Sequence, residues 1–127
     1  MYGRILVVDD EPNQRRSLAI ALQLEGFEVY EAEDGAKALQ RLEHVEVDLV
    51  IVDLMMPGLN GLDLSRRIRF RYPNVSIVLT SAYQLTEKQL SLIGLDSIAF
   101  VSKPYCLDAL SGFLRGKIDK VRQTASA

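Results

Sequence analysis

The sequence predicts an α/β fold, a five-stranded parallel sheet with helices on both faces. Two observations carry this. Short apolar runs alternate with stretches of helical periodicity along all 127 residues, the pattern of repeated βα units. The run Leu49-Val50-Ile51-Val52 is unbroken by polar residues, as expected of a strand covered on both faces. Right-handed crossovers then distribute the helices over the two faces.

The elements follow in order. Strand one is expected over 4–8, and helix one begins near Pro12, a favoured first-turn residue. This helix is expected to turn Leu18, Ala21, Leu22 and Leu24 inward and to stop at Gly26. Strand two is placed at 27–32. Helix two starts near Asp34-Gly35, with Ala38, Leu39 and Leu42 on its apolar side. Strand three is 48–53, followed by a turn-rich loop from Met56 to Gly61. Helix three covers 62–72 and ends before Pro73. Its buried stripe is Leu64, Ile68 and Tyr72, which leaves Phe70 outward. Arg66, Arg67, Arg69 and Arg71 wind around it as a solvated face. Strand four is 76–81. Helix four is 86–94, with Thr86 and Gln89 spaced as a capping box. Strand five is 98–102, and helix five runs from 106 to 122 with a fraying end. His44 is expected in a surface loop and Cys106 as a small buried residue.

Composition narrows the function. A hydrophobic content of 48% and a charged content of 25% are those of a soluble globular domain. The net charge of −2 gives no general attraction to nucleic acid or to an anionic membrane. No apolar run approaches the roughly 18 residues of a membrane span, and the N-terminus has no secretory-signal pattern. One cysteine excludes an internal disulfide framework and fits a reducing cytoplasm. One histidine excludes a multi-histidine metal site.

The charged residues that end the apolar runs are more specific. Asp9 and Asp10 follow Ile5-Leu6-Val7-Val8, Asp53 follows the third strand, and Lys103-Pro104 follows the fifth. In an open α/β sheet the C-terminal strand ends share one crevice, where ligands bind. Three carboxylates meeting there repel one another unless a cation joins them. Oxygen-only ligands argue for Mg²⁺, which is commonly bound by one or two carboxylates plus a phosphate. The pocket is therefore expected to hold a metal and to handle a phosphoryl group.

These residues resemble the receiver domain of bacterial two-component response regulators, over roughly 1–120. The resemblance rests on Val7-Val8-Asp9-Asp10-Glu11, Asp53-Leu54-Met55-Met56-Pro57, Gly61, the hydroxyl-small pair Ser81-Ala82, and Lys103-Pro104, in that order at the ends of strands one, three, four and five. It implies a flavodoxin-like, doubly wound sheet of order 2-1-3-4-5 with five helices. The receiver domain would be 1–122, and 123–127 a C-terminal tail or the start of a linker.

The resemblance also implies roles. Asp53 is the phosphoacceptor, taking its phosphoryl group from a sensor histidine kinase or a phosphotransfer protein. Asp10, Asp53 and the backbone carbonyl of Met55 ligate Mg²⁺, and Asp9 acts through a metal-bound water. Lys103 supplies a countercharge to Asp53 and then to the phosphate. Ser81 fits the phosphoryl-binding hydroxyl, with Thr80 beside it as the alternative and Ala82 as the small neighbour. Phe100 is the aromatic that moves with that hydroxyl, or a plain core residue. Pro57, Gly61 and Pro104 shape the surrounding loops. Met55 and Tyr83 sit where phosphate lifetime is tuned, and neither is an acid or amide, so the phosphorylated state is not expected to be unusually short-lived.

The implied function is a cytoplasmic phosphorelay switch. Its output surface is the face of helix four, strand five and helix five, which binds an output protein or an effector domain or forms a homodimer. No direct contact with nucleic acid or membrane is expected, and no enzymatic turnover beyond self-catalysed phosphotransfer and dephosphorylation. The chain departs from the family pattern at Gly94 and Asp96-Ser97, and helix five carries Gly112 and Gly116. These departures fall on the output face and keep open a phosphate-independent interaction module. A phosphohydrolase would need an acid where Met55 stands.

Overall fold

The computed structural model describes residues 2–56, 58, 60–82, 85–89, 91 and 98–126, with backbone alone for 121–126. Pro57, Tyr83, Gly94, Asp96 and Ser97 lie outside the described residues, and so do the expectations attached to them. The strands are β1 (Arg4–Val8), β2 (Glu28–Ala32), β3 (Leu49–Asp53), β4 (Ser76–Ser81) and β5 (Ala99–Ser102). The helices are α1 (Pro12–Leu24), α2 (Gly35–His44), α3 (Gly61–Arg71), α4 (described at 87–89 and 91) and α5 (Leu107–Ser126). All strands are parallel, in the order β2-β1-β3-β4-β5. This is the flavodoxin-like arrangement that the resemblance implied.

Two cores sandwich the sheet, because successive strand residues face opposite sides. Leu6, Val8, Val50, Val52, Ile77 and Leu79 pack with Ala38 and Leu42 of α2 and Leu64 and Ile68 of α3. Ile5, Val7, Leu49, Ile51 and Val78 pack with Leu22 of α1 and Leu110, Leu114 and Ile118 of α5. The β1 and β3 side chains are buried on both faces, as their unbroken apolar runs require.

Side-chain oxygens cap the helix starts, taking up orphan N–H groups. Glu11 accepts from the N–H groups of Asn13 and Gln14 at α1, Asp34 from Lys37 at α2, and Asn60 from Asp63 at α3. The capping box at α4 is present: Thr86 N–H donates to Gln89 Oε1 at 2.9 Å, and Gln89 N–H donates to Thr86 Oγ1 at 3.2 Å. After α1, Gly26 takes a left-handed φ of +101°, as its place past the helix end predicts.

Five expectations need correction. Leu24 is 85% exposed, and Ala19 is buried in its place. At about 100° per residue, Leu24 lies some 200° around the helix from Leu22, on the opposite side. Cys106 is exposed. Helix α5 begins one residue later than expected, so Cys106 lies outside the wound stripe of Leu110, Leu114 and Ile118, and its carbonyl accepts from Leu110 N–H at 2.9 Å. His44 is exposed but is the last residue of α2 rather than part of a loop. Helix α5 continues to Ser126 instead of ending at 122. On α3, Phe70 is 92% exposed as expected. Arg66, Arg67 and Arg71 are exposed, whereas Arg69 turns back and donates to the carbonyls of Pro73 and Val75 at 3.0 and 2.9 Å.

Candidate functional site

Strands β1 and β3 are neighbours, so Asp9 and Asp53 emerge side by side at their C-terminal ends. Asp9 is buried, Asp53 half-buried and Asp10 exposed. One carboxylate oxygen from each of the three lies within 4.8 Å of the others. The opposing charge arrives from β5, two strands away. Lys103 Nζ is 3.3 Å from Asp53 Oδ2 and 3.7 Å from Asp9 Oδ2. The Lys103-Pro104 peptide bond is cis.

Backbone donors hold the carboxylates in place. Asp9 Oδ1 accepts from Glu11 N–H at 2.9 Å, and Asp53 Oδ1 accepts from Met55 N–H at 3.1 Å. Arg15 donates to the Asp9 carbonyl at 2.9 Å and pairs with Glu31 at 3.2 Å, fixing the β1–α1 turn to β2. Burial pushes the Asp9 carboxyl above the usual carboxylate value. The Glu11 N–H and the Lys103 ammonium oppose this, and the Asp53 and Asp10 charges reinforce it. A cation among these oxygens would relieve that penalty, so the donor set fits a hard divalent ion.

Gly61 explains itself sterically. A Cβ there would come within 2.4 Å of the Asp53 carbonyl oxygen and 2.6 Å of Leu54 Cα. Its N–H donates to the Leu54 carbonyl at 3.1 Å, which ties the start of α3 to the end of β3. Met55 is exposed beside Asp53, and Met56 is buried in the core.

Both candidate hydroxyls are buried. Thr80 is opposite Asp53 in the β3–β4 register, and Ser81 is opposite Ser102 in the β4–β5 register. Ile77 and Leu79 belong to the α2/α3 core, so alternation places Ser81 on that same face. Phe100 is opposite Leu79 and packs half-buried against that core. Ser81 and Phe100 thus share one face, while Thr80 alternates to the other. Lys103 N–H donates to the Ser81 carbonyl at 2.8 Å, tying the ends of β4 and β5 together. Ala82 is exposed next to Ser81, and Pro104 is exposed next to Lys103.

The structure adds residues that the sequence reading passed over. Gln14 Oε1 accepts from Lys103 Nζ at 3.1 Å across 89 residues of chain. Tyr105 is close enough that the Asp9 and Asp53 charges, after burial, raise its hydroxyl pKa. Tyr105 directly follows the Lys-Pro pair, which was a usable signal. Gln14 lies one turn past the acid pair on α1, where a helix start brings side chains back over the strand end.

Comparison with known proteins points to one family. The family model described as the response regulator receiver domain matches residues 5–115. The DNA-binding response regulator MtrA of Mycolicibacterium smegmatis is 38% identical over 120 residues, covering 93% of this chain and 51% of that protein. The sensor histidine kinase RcsC of Salmonella typhi is 38% identical over 122 residues, covering 94% of this chain and 13% of that protein. The crystal structure of the response regulator protein TrrA from Thermotoga maritima, in complex with Mg²⁺-BeF, superposes with a TM-score of 0.80 at 38% identity, covering 90% of this chain and 97% of that one. The chain spans about half or less of the length of the curated relatives it matches.

Proposed function

From the premise that this chain belongs to the response regulator receiver domain family, we propose that it is a phosphorylation-controlled switch with Asp53 as phosphoacceptor. The observation that carries this reading is the meeting of Asp9, Asp10, Asp53 and Lys103 at one strand edge. An Asp53 carboxylate oxygen attacks phosphorus and forms the acyl phosphate. The P–N bond to a kinase phosphohistidine breaks, and its electron pair leaves with the imidazole, which takes up a proton. Such transfer depends on positioning and charge stabilisation. Lys103 faces Asp53 before transfer and neutralises the phosphoryl oxygens after it. Ser81 donates its hydroxyl to the phosphoryl group, a role that its shared face with Phe100 favours over Thr80.

Asp10, Asp53 and the Met55 carbonyl would hold Mg²⁺, with Asp9 acting through a water. The ion supplies charge neutralisation for the carboxylates and the incoming phosphoryl oxygens. Phosphorylation adds about −1.5 to −2 charge and three acceptor oxygens. Drawing Ser81 toward them frees space for Phe100 to turn inward, which reshapes the α4-β5-α5 surface. That surface is where an output protein, an effector domain or a second copy binds. The receiver unit comprises residues 1–122, with 123–127, into which α5 continues as far as Ser126, as tail or linker, and works in the cytoplasm without direct nucleic-acid or membrane contact.

Intact mass after incubation with phosphoramidate tests the assignment. Wild type should gain one phosphoryl mass with Mg²⁺ and little with chelator, and Asp53→Ala should gain none. An equal adduct on Asp53→Ala would refute Asp53 as acceptor. No adduct on wild type would favour the phosphate-independent module.

A further inference from the structure

We propose that Gln14 is a positioning residue for Lys103: its amide oxygen holds the ammonium at the Asp53 carboxylate and so sets how fast Asp53 accepts a phosphoryl group. The contact with Gln14 Oε1, at 3.1 Å, is the shortest of the three acidic or amide contacts of Lys103 Nζ, against 3.3 Å to Asp53 and 3.7 Å to Asp9. It alone falls inside the ordinary hydrogen-bond range of about 2.7–3.2 Å. An ammonium has three N–H donors and no acceptor, so the amide oxygen must face it. Gln14 and Asp53 each accept one of its N–H groups, and Asp9 at 3.7 Å contributes as a charge rather than as a hydrogen-bond acceptor.

The amide is well placed to act as a fixed point. Gln14 is in the first turn of α1, and its own N–H is held by the Glu11 carboxylate at 2.7 Å. Glu11 in turn donates its N–H to Asp9 at 2.9 Å. The α1 cap, Asp9 and the Lys103 anchor are therefore one connected unit. A lysine has four rotatable side-chain bonds and a strongly hydrated head, so an ammonium at this open crevice has many alternatives in solvent. A neutral acceptor restricts those alternatives without competing for the charge that Asp53 and the phosphoryl group require. A carboxylate at the same place would hold the ammonium but draw it away from Asp53. The chemistry of position 14 thus separates holding Lys103 from releasing it to the phosphoryl group.

Two readouts test this, and the first does not depend on phosphorylation. Limited acetylation with acetic anhydride, mapped by peptide mass, reports access to the Lys103 amine relative to exposed Lys88. Gln14→Leu, which keeps a good helix former, should raise the Lys103-to-Lys88 ratio about fivefold, the net worth of one ordinary hydrogen bond at an exposed contact. Gln14→Glu should keep the ratio at or below wild type. An unchanged ratio in Gln14→Leu, with helix content intact by circular dichroism, overturns the proposal. The second readout rests on the phosphoacceptor reading: with phosphoramidate and Mg²⁺, both variants should form adduct about fivefold more slowly than wild type, to the same final stoichiometry. Equal rates in wild type and Gln14→Leu overturn the role in transfer. A wild type that forms no adduct defeats the phosphoacceptor reading, and the acetylation ratio then decides the positioning of Lys103 by itself.

Discussion

Burial raises the Asp9 carboxyl above its ordinary value of 3.8, partly offset by the Glu11 N–H and Lys103 and reinforced by Asp53 and Asp10. The folded chain therefore holds this proton more tightly than the unfolded chain does. The stability it contributes is fully present below pH 3.8 and is lost as pH rises through the higher folded-state value. In chelator, Asp9→Asn should remove that loss and be more stable than wild type at pH 7, measured by urea melts at several pH values. A less stable variant would show that the ionised Asp9 contributes more through Lys103 than it costs by burial. Gly61 carries a steric claim of the same sharpness. A Cβ would collide with backbone atoms of Asp53 and Leu54, which cannot turn aside as a side-chain tip can. Gly61→Ala should cost about 1–3 kcal/mol, as overpacking does, and should slow phosphoryl uptake by displacing Asp53. A thermal midpoint equal to wild type would mean that the β3–α3 loop yields freely.

Helix α1 shows how an element's burial follows from winding rather than from apolar content. Leu22 is fully buried, while Leu24 is 85% exposed. Leu22→Ala should cost about 2–5 kcal/mol, whereas Leu24→Ser should stay within about 0.5 kcal/mol, both read from chemical denaturation. A large cost for Leu24→Ser would place it in a contact that the fold does not provide. Most elements were legible because apolar runs and caps agree along the chain: the strand ends at Asp9, Asp53 and Lys103 follow from the runs alone. The side-chain errors arose where counting apolar residues replaced angular position, as with Leu24, or where a helix start moved by one residue, as with Cys106. The long-range contacts of Lys103 with Gln14 and of the Ser81 carbonyl with the Lys103 N–H were not legible. They depend on how strands β1, β4 and β5 are offset in the sheet, which no local pattern encodes.

At the scale of the whole molecule, the order β2-β1-β3-β4-β5 gathers residues separated by up to 94 positions, from Asp9 to Lys103, at one edge of one sheet. The acid pair comes from β1, the proposed acceptor from β3, the candidate hydroxyls from β4 and the ammonium from β5. The Lys103 N–H to Ser81 carbonyl bond and the Leu79–Phe100 pairing tie the site end of β4 to β5. The most direct test of the account is to locate the modification chemically. After incubation with phosphoramidate and Mg²⁺, borohydride reduction converts an aspartyl phosphate to homoserine, which peptide mass mapping assigns to a position. Homoserine at position 53, formed in wild type and lost when Mg²⁺ is chelated, is the predicted result. Homoserine at position 9 or 10 with Asp53 unmodified, or no homoserine despite a phosphoryl adduct, would contradict it.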